Sequence, residues 1–152
     1  MSLSAPDILL IEDSPTTAEL FRFALKSNKS ASTVQILNDG LEAIELLLGD
    51  SPTASGSRTL PRLVLLDLHM PRLDGFEVLK RLRADERTRG LSIVVYSSSD
   101  EEADQREAHR LGADGYIRKP AGYENFCKAV AEIESAWLRS DARGTVDGDR
   151  SE

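Results

Sequence analysis

The chain has one cysteine and two histidines among its 152 residues, and each scarcity removes a class of function. The lone Cys127 excludes an internal disulfide framework and suits a reducing compartment, so a cytoplasmic protein is expected. His69 and His109 lie far apart in sequence and far from that thiol, which gives a zinc site little to be built from. The apolar runs at 8–11 and 63–66 fall far short of the roughly 20 residues that cross a bilayer, so no membrane span is expected. No charged-then-apolar leader opens the sequence. Glycine loops of the Gly-x-Gly-x-x-Gly or Gly-Lys-Ser/Thr kind are missing, so nucleotide binding has no support. A basic excess is missing too. The formal net charge is −7, opposite to what a nucleic-acid backbone requires of its partner. The clusters Lys80-Arg81-Leu82-Arg83 and Arg87 to Arg89 are interspersed with acids and read as solvated helix faces.

What is present describes an ordinary globular domain. Apolar residues make up 40% and charged residues 30%, and the length fits a single domain of the common size. Strand-like and helix-like stretches alternate. Ile8 to Glu12 reads as a strand. Ser14 then caps a helix with Pro15 at its first position, carrying Phe21, Ala24 and Leu25 inward to about Lys26. Val34 to Leu37 is a second strand, Asn38-Asp39-Gly40 a turn, and Leu41, Ile44, Leu47 and Leu48 recur at helical spacing. The Ser, Thr, Gly and Pro-rich stretch 49–61 is longer than a usual connection, which implies mobility or a role in contacts. Leu63 to Asp67 is an unbroken apolar run closing on an acid, the pattern of a strand covered on both faces. Asp74-Gly75 opens a helix with Phe76, Leu79 and Leu82 on one side. Ile93 to Tyr96 is a β-branched strand. Asp100 to Leu111 is a polar helix stopped by Gly112, and Tyr116 to Arg118 a short fifth strand. Phe126, Val130, Ile133 and Trp137 mark the last helix. A domain over 1–139 and a disordered polar tail over 140–152 follow.

Five strands each followed by a helix predict an α/β fold, a doubly wound five-stranded parallel sheet. In such sheets, functional groups gather outside the carboxyl ends of the strands. Those ends carry Glu12-Asp13, Asp67, Ser97 and Lys119. Three carboxylates brought together repel, at about 4 kcal/mol for a pair ~4 Å apart in a medium of effective dielectric near 20. A lysine offsets part of that, and a hard divalent cation such as Mg²⁺ offsets more. Singly, each residue has a plainer explanation. Glu12 and Asp13 suit a helix N-terminus, Asp67 a turn, Ser97 a cap region, and Lys119-Pro120 a surface bend. Their joint placement at successive strand ends is what points to a site. His69 is a candidate general base, with a structural role or backbone ligation preferred for it; His109 sits on a polar helix and is expected exposed.

These residues resemble the response-regulator receiver family of two-component signalling, of the flavodoxin-like (βα)₅ fold. The match runs through IleLeuLeuIleGluAspSer (8–14), LeuLeuAspLeuHisMetProArgLeuAspGlyPheGlu (65–77), ValValTyrSerSer (94–98) and GlyAlaAspGlyTyrIleArgLysPro (112–120). The resemblance implies that Asp67 accepts a phosphoryl group from the phosphohistidine of a sensor histidine kinase, in a Mg²⁺-dependent, self-catalysed reaction. It implies metal ligation by Asp13, Asp67 and the main-chain carbonyl of His69, with Glu12 holding a metal-bound water. It implies that Lys119 pairs with Asp67 at rest, that Ser97 turns toward the phosphoryl group, and that Tyr116 follows it inward. Pro120 falls where the family has a cis peptide. Output is expected through the last strand and last two helices. The 49–61 loop and the ending GluSerAlaTrpLeu (134–138) look like the stand-alone regulators that partner phytochrome kinases, relatives that often dimerise, here through the last helix and fifth strand.

Two other readings compete. A haloacid-dehalogenase-type phosphohydrolase also uses a strand-end Asp with Mg²⁺, but it places a second Asp where His69 stands. A pseudo-receiver, a binding module that never takes phosphate, conflicts with the filled chemical positions. With only a short tail after Leu138, output is expected by binding a partner, by dimerising, or by passing phosphate to a second histidine.

Overall fold

The computed structural model describes residues 6–49 and 60–139; the expected tail and most of the 49–61 stretch lie outside them. Within these residues the chain alternates as β1 (Ile8–Ile11), α1 (Pro15–Ser27), β2 (Val34–Leu37), α2 (Gly40–Leu48), β3 (Leu63–Leu66), α3 (Gly75–Ala84), β4 (Ile93–Ser97), α4 (Glu102–Arg110), β5 (Gly115–Arg118) and α5 (Tyr123–Ile133), closed by a π-helical turn, Glu134–Arg139. The strands form one sheet in the order β2-β1-β3-β4-β5. Every pair is parallel.

Burial explains why these strands sit where they do. β1, β3 and β4 are buried at every position, and they occupy the centre of the sheet. β2 and β5, half-buried or exposed throughout, form its edges. Side chains alternate between faces along each strand. Ile8, Leu10, Leu63 and Leu65 therefore meet Phe21 and Val130 on one side, while Leu9, Ile11, Val64 and Leu66 meet Leu47, Val78 and Leu82 on the other. Each such side chain contributes about 1.5–3 kcal/mol relative to exposure.

The helix starts are set locally. Ser14 Oγ accepts from the Thr17 N–H, Asp39 from the Glu42 N–H and Asp74 from the Glu77 N–H, and Pro15 stands at the start of α1. Such caps satisfy amide donors that the first turn leaves unpaired. Helix α4 differs: it begins at Glu102, two residues later than the sequence suggests, and Glu101 lends it no side-chain cap. Ser99 Oγ instead accepts from the Glu101 N–H.

Two further expectations change in detail. Leu41, although in helical phase with Ile44 and Leu48, is 40% exposed, and Ala43 faces inward in its place. Lys119–Pro120 is trans, there being no cis peptide among the described residues; trans is the form that X–Pro bonds favour by about 0.5–1 kcal/mol. Trp137 packs on its own domain, over β5: a Cβ added to Gly115 would lie 3.0 Å from its ring.

Candidate functional site

Parallel register carries the polar residues past the strand ends together. Ile11 pairs with Leu66, so Glu12 and Asp67 emerge side by side. The Asp67 N–H donates to the Ile11 carbonyl at 3.0 Å and the Glu12 N–H to the Leu37 carbonyl at 2.9 Å. On the other side, the Lys119 N–H donates to the Ser97 carbonyl at 2.7 Å, which fixes the lysine beside the end of β4. Gly75 lets α3 close on this edge. Its N–H reaches the Leu68 carbonyl at 2.8 Å, and a Cβ there would come within 2.2 Å of the Asp67 carbonyl oxygen.

The side chains form one compact charge cluster. Glu12, Asp13 and Asp67 offer carboxylate oxygens within 4.8 Å of one another. Lys119 Nζ lies 2.6 Å from Glu12 Oε1 and 3.7 Å from Asp67 Oδ1. Glu12 Oε1 has no well-aligned hydrogen bond, so its link to the lysine is a short charge contact. Its other oxygen accepts from the Ser14 N–H at 3.1 Å. Beneath the ammonium, the buried ring of Tyr96 stands 5.9 Å away, centroid to Nζ, a cation–π distance.

Burial and the charge of Glu12 push the Asp67 carboxyl up to about 6, with Lys119 opposing and Asp13 adding to the rise. One lysine therefore does not neutralise the three acids. A divalent cation does so better, and the all-oxygen donor set selects hard ions of the magnesium, manganese and calcium class. The residues fit such a group.

The residues expected here do not all arrive in one place. Glu12, Asp13, Asp67 and Lys119 converge, and Ser97, fully buried, joins them through its backbone bond to Lys119. Ser97 Oγ accepts from the Ser99 N–H at 3.2 Å. Tyr116 sits half-buried on a small cluster of Leu68, Val95 and Ala108, and its hydroxyl donates to the Ser99 carbonyl at 2.9 Å. The His69 side chain turns away from the carboxylates. Its Nε2 lies 3.0 Å from Asp104 Oδ2 in the first turn of α4, and its ring makes an edge contact with Phe76.

The pattern that defines the response regulator receiver domain matches residues 8–131. The chain belongs to that family. Among curated relatives, the receiver is 36% identical to the probable methanogenesis regulatory protein FilR2 of Methanothrix harundinacea, over 86% of this chain and 83% of that one. It is 33% identical to the response regulator Rcp1 of Synechocystis, over 88% and 89% of the two chains. Among solved structures, the phosphorylated cyanobacterial phytochrome response regulator RcpA superposes with a TM-score of 0.79 at 33% identity, covering 90% of this chain and 96% of its own. The Mn²⁺-bound form of Rcp1 does so with 0.77 at 32%, covering 96% and 100%. Among the described residues, no helix of the receiver is long and apolar enough to cross a membrane.

Nothing in the sequence marks Ser99, Asp104, Phe76 or Tyr96 as site residues. Ser99 looks like one more cap-region serine, and Asp104 like one more acid on a polar helix. No local signal announces a contact between residues 35 positions apart.

Proposed function

We propose that Asp67 is the phosphoacceptor of this receiver and that its donor is the phosphohistidine of a sensor histidine kinase. The observation that carries this is the placement of Asp67, 6% exposed at the end of β3, between two further carboxylates and a lysine. An Asp67 Oδ–P bond forms as the N–P bond of the phosphohistidine breaks in line, leaving the electron pair on the imidazole nitrogen. Lys119 holds a growing negative charge beside the transferring oxygens, and the Ser97 hydroxyl, freed from the Ser99 N–H, supplies a donor to them. Positioning and charge neutralisation are most of what phosphoryl transfer needs. Glu12, Asp13, Asp67 and the His69 main-chain carbonyl would hold Mg²⁺, which when bound neutralises charge on the phosphoryl oxygens. Transfer and later hydrolysis are self-catalysed by this pocket. Tyr116 reports the change to the face of α4, β5 and α5.

The likeness to the cyanobacterial phytochrome response regulator RcpA supports a phytochrome-class kinase as the partner. The test is incubation with acetyl phosphate and Mg²⁺, followed by intact mass, then transfer from a panel of kinases. Uptake of one phosphoryl group by the wild type and none by Asp67→Asn is expected. Turnover of phosphate esters, or no uptake from any donor, would remove the reading. Failure of phytochrome kinases alone, with other kinases succeeding, would remove only the partner.

A further inference from the structure

The His69 side chain leaves the pocket for the surface, where it is 59% exposed but held by two neighbours. It stands between two fixed partners, the Phe76 ring at the start of α3, at 6.4 Å between centroids, and the Asp104 carboxylate, at 3.0 Å. Asp104 is only 16% exposed. Its Oδ2 also accepts from Ser99 Oγ at 2.6 Å, and these two contacts hold its carboxyl below the usual range, the serine bond contributing more than the histidine. Ser99 has every polar group engaged. Its N–H donates to Ser97 Oγ, its hydroxyl donates to Asp104 and accepts from the Glu101 N–H, and its carbonyl accepts from the Tyr116 hydroxyl. An apolar path runs beside the polar one, because Phe76 and Tyr116 both pack on the Leu68, Val95 and Ala108 cluster.

We propose that His69 is a positioning residue for Tyr116, acting through Asp104 and Ser99, so that the β3–α3 loop and the α4–β5 face move as one unit. The signalling meaning of the relay rests on the reading of Asp67 and Tyr116 given above; its existence does not. The β3–α3 loop is held from its other side by Arg72, which pairs with Asp39 at the start of α2. Ser97 acts on Ser99 from the buried side and His69 acts on it from the exposed side. The identity of residue 69 thus sets where Tyr116 rests before any phosphoryl group arrives. A bistable aromatic linked to two loops is a means of turning a small local shift into a change of surface.

The test labels the three tyrosines with 3-fluorotyrosine and follows the ¹⁹F spectrum of the unphosphorylated protein, with Tyr116→Phe assigning the signal. Asp104→Ala is expected to move the Tyr116 resonance, His69→Ala to move it in the same direction by no more than that, and the double variant no further than Asp104→Ala. His69→Gln, which keeps an N–H donor within reach of Asp104, is expected to restore the original position. Unmoved Tyr96 and Tyr123 signals show that the fold is intact in each variant. A Tyr116 signal indifferent to both alanines, or shifts that simply add, would overturn the relay. An Asp67 that refuses acetyl phosphate in the wild type counts against the proposed function instead, since the spectra concern the unphosphorylated state alone.

Discussion

Lys119 Nζ lies nearer to Glu12 than to Asp67, 2.6 Å against 3.7 Å, so the lysine beside Asp67 is anchored by a different carboxylate. The side chain of Glu12 is 1% exposed and that of Lys119 is 14% exposed. The anchor is thus a buried ion pair, and removing one partner strands the other. Breaking such a pair costs about 3–5 kcal/mol. Lys119→Met is expected to destabilise the metal-free fold by that order, and a second change, Glu12→Gln, to recover most of it. Urea denaturation of the single and double variants measures both. An additive double variant would mean that the two residues are not a pair.

The same substitution changes ion binding in the opposite sense. Lys119 is the positive group already sharing the acidic cluster, and without it the three carboxylates attract a cation more strongly. Lys119→Met is expected to bind Mg²⁺ or Mn²⁺ several-fold more tightly while losing most phosphorylation by acetyl phosphate. Calorimetric titration checks the affinity, and intact mass checks the modification. Weaker binding in the variant would contradict the charge argument.

Asp67 makes the metal-free fold pH-dependent. Its carboxyl is raised from 3.8 to about 6 in the fold, so between those values the native state holds a proton that the unfolded chain has released. The stabilisation is fully present below pH 3.8 and is lost as pH rises through about 6. The loss amounts to roughly 2–3 kcal/mol. Asp67→Asn abolishes this dependence. With EDTA present, the variant is expected to melt several degrees above the wild type near pH 7.5, the gap closing near pH 4. Equal melting temperatures at neutral pH would show that the carboxylate carries no penalty.

Divalent cation stabilises the native state by linkage, by about 2.7 kcal/mol at a hundred times its dissociation constant. Thermal melts of the wild type are expected to rise with Mg²⁺ and fall back with EDTA. Asp13→Asn removes one carboxylate from the cluster and is expected to lose most of the rise. A full response in that variant would place the ion elsewhere.

Gly75 lies against the backbone of Asp67. The Cβ of Gly75→Ala would meet the Asp67 carbonyl oxygen at 2.2 Å and Leu68 Cα at 2.8 Å, both backbone atoms that cannot step aside. Overpacking of this kind costs about 1–3 kcal/mol or more. The variant is expected to lose stability by at least that much and to phosphorylate slowly, as α3 and the end of β3 part. Unchanged melting and labelling would show that the loop relaxes freely.

Much of this was legible because it is local. The run Leu63 to Leu66 closing on Asp67, the caps at Ser14 and Asp74 and the alternation of strand and helix patterns state the elements and their order. Knowing that parallel strands send their ends to one edge then suffices to gather Glu12, Asp13, Asp67, Ser97 and Lys119. Alternation and capping act over a few residues, which is why the sequence by itself determined them. What it could not determine are contacts chosen by packing between distant segments. Helical phase put Leu41 with its apolar neighbours, yet the layer beneath α2 had room for Ala43. The preference of Lys119 for Glu12 depends on how the ends of β1, β3 and β5 come to lie beside one another. His69 found Asp104 and Phe76 because α3 and α4 meet above β3 and β4, a neighbourhood that exists only once the sheet has formed in its order. Short-range sterics and hydrogen bonds wrote the elements, and the shared core decided which polar groups were left facing one another.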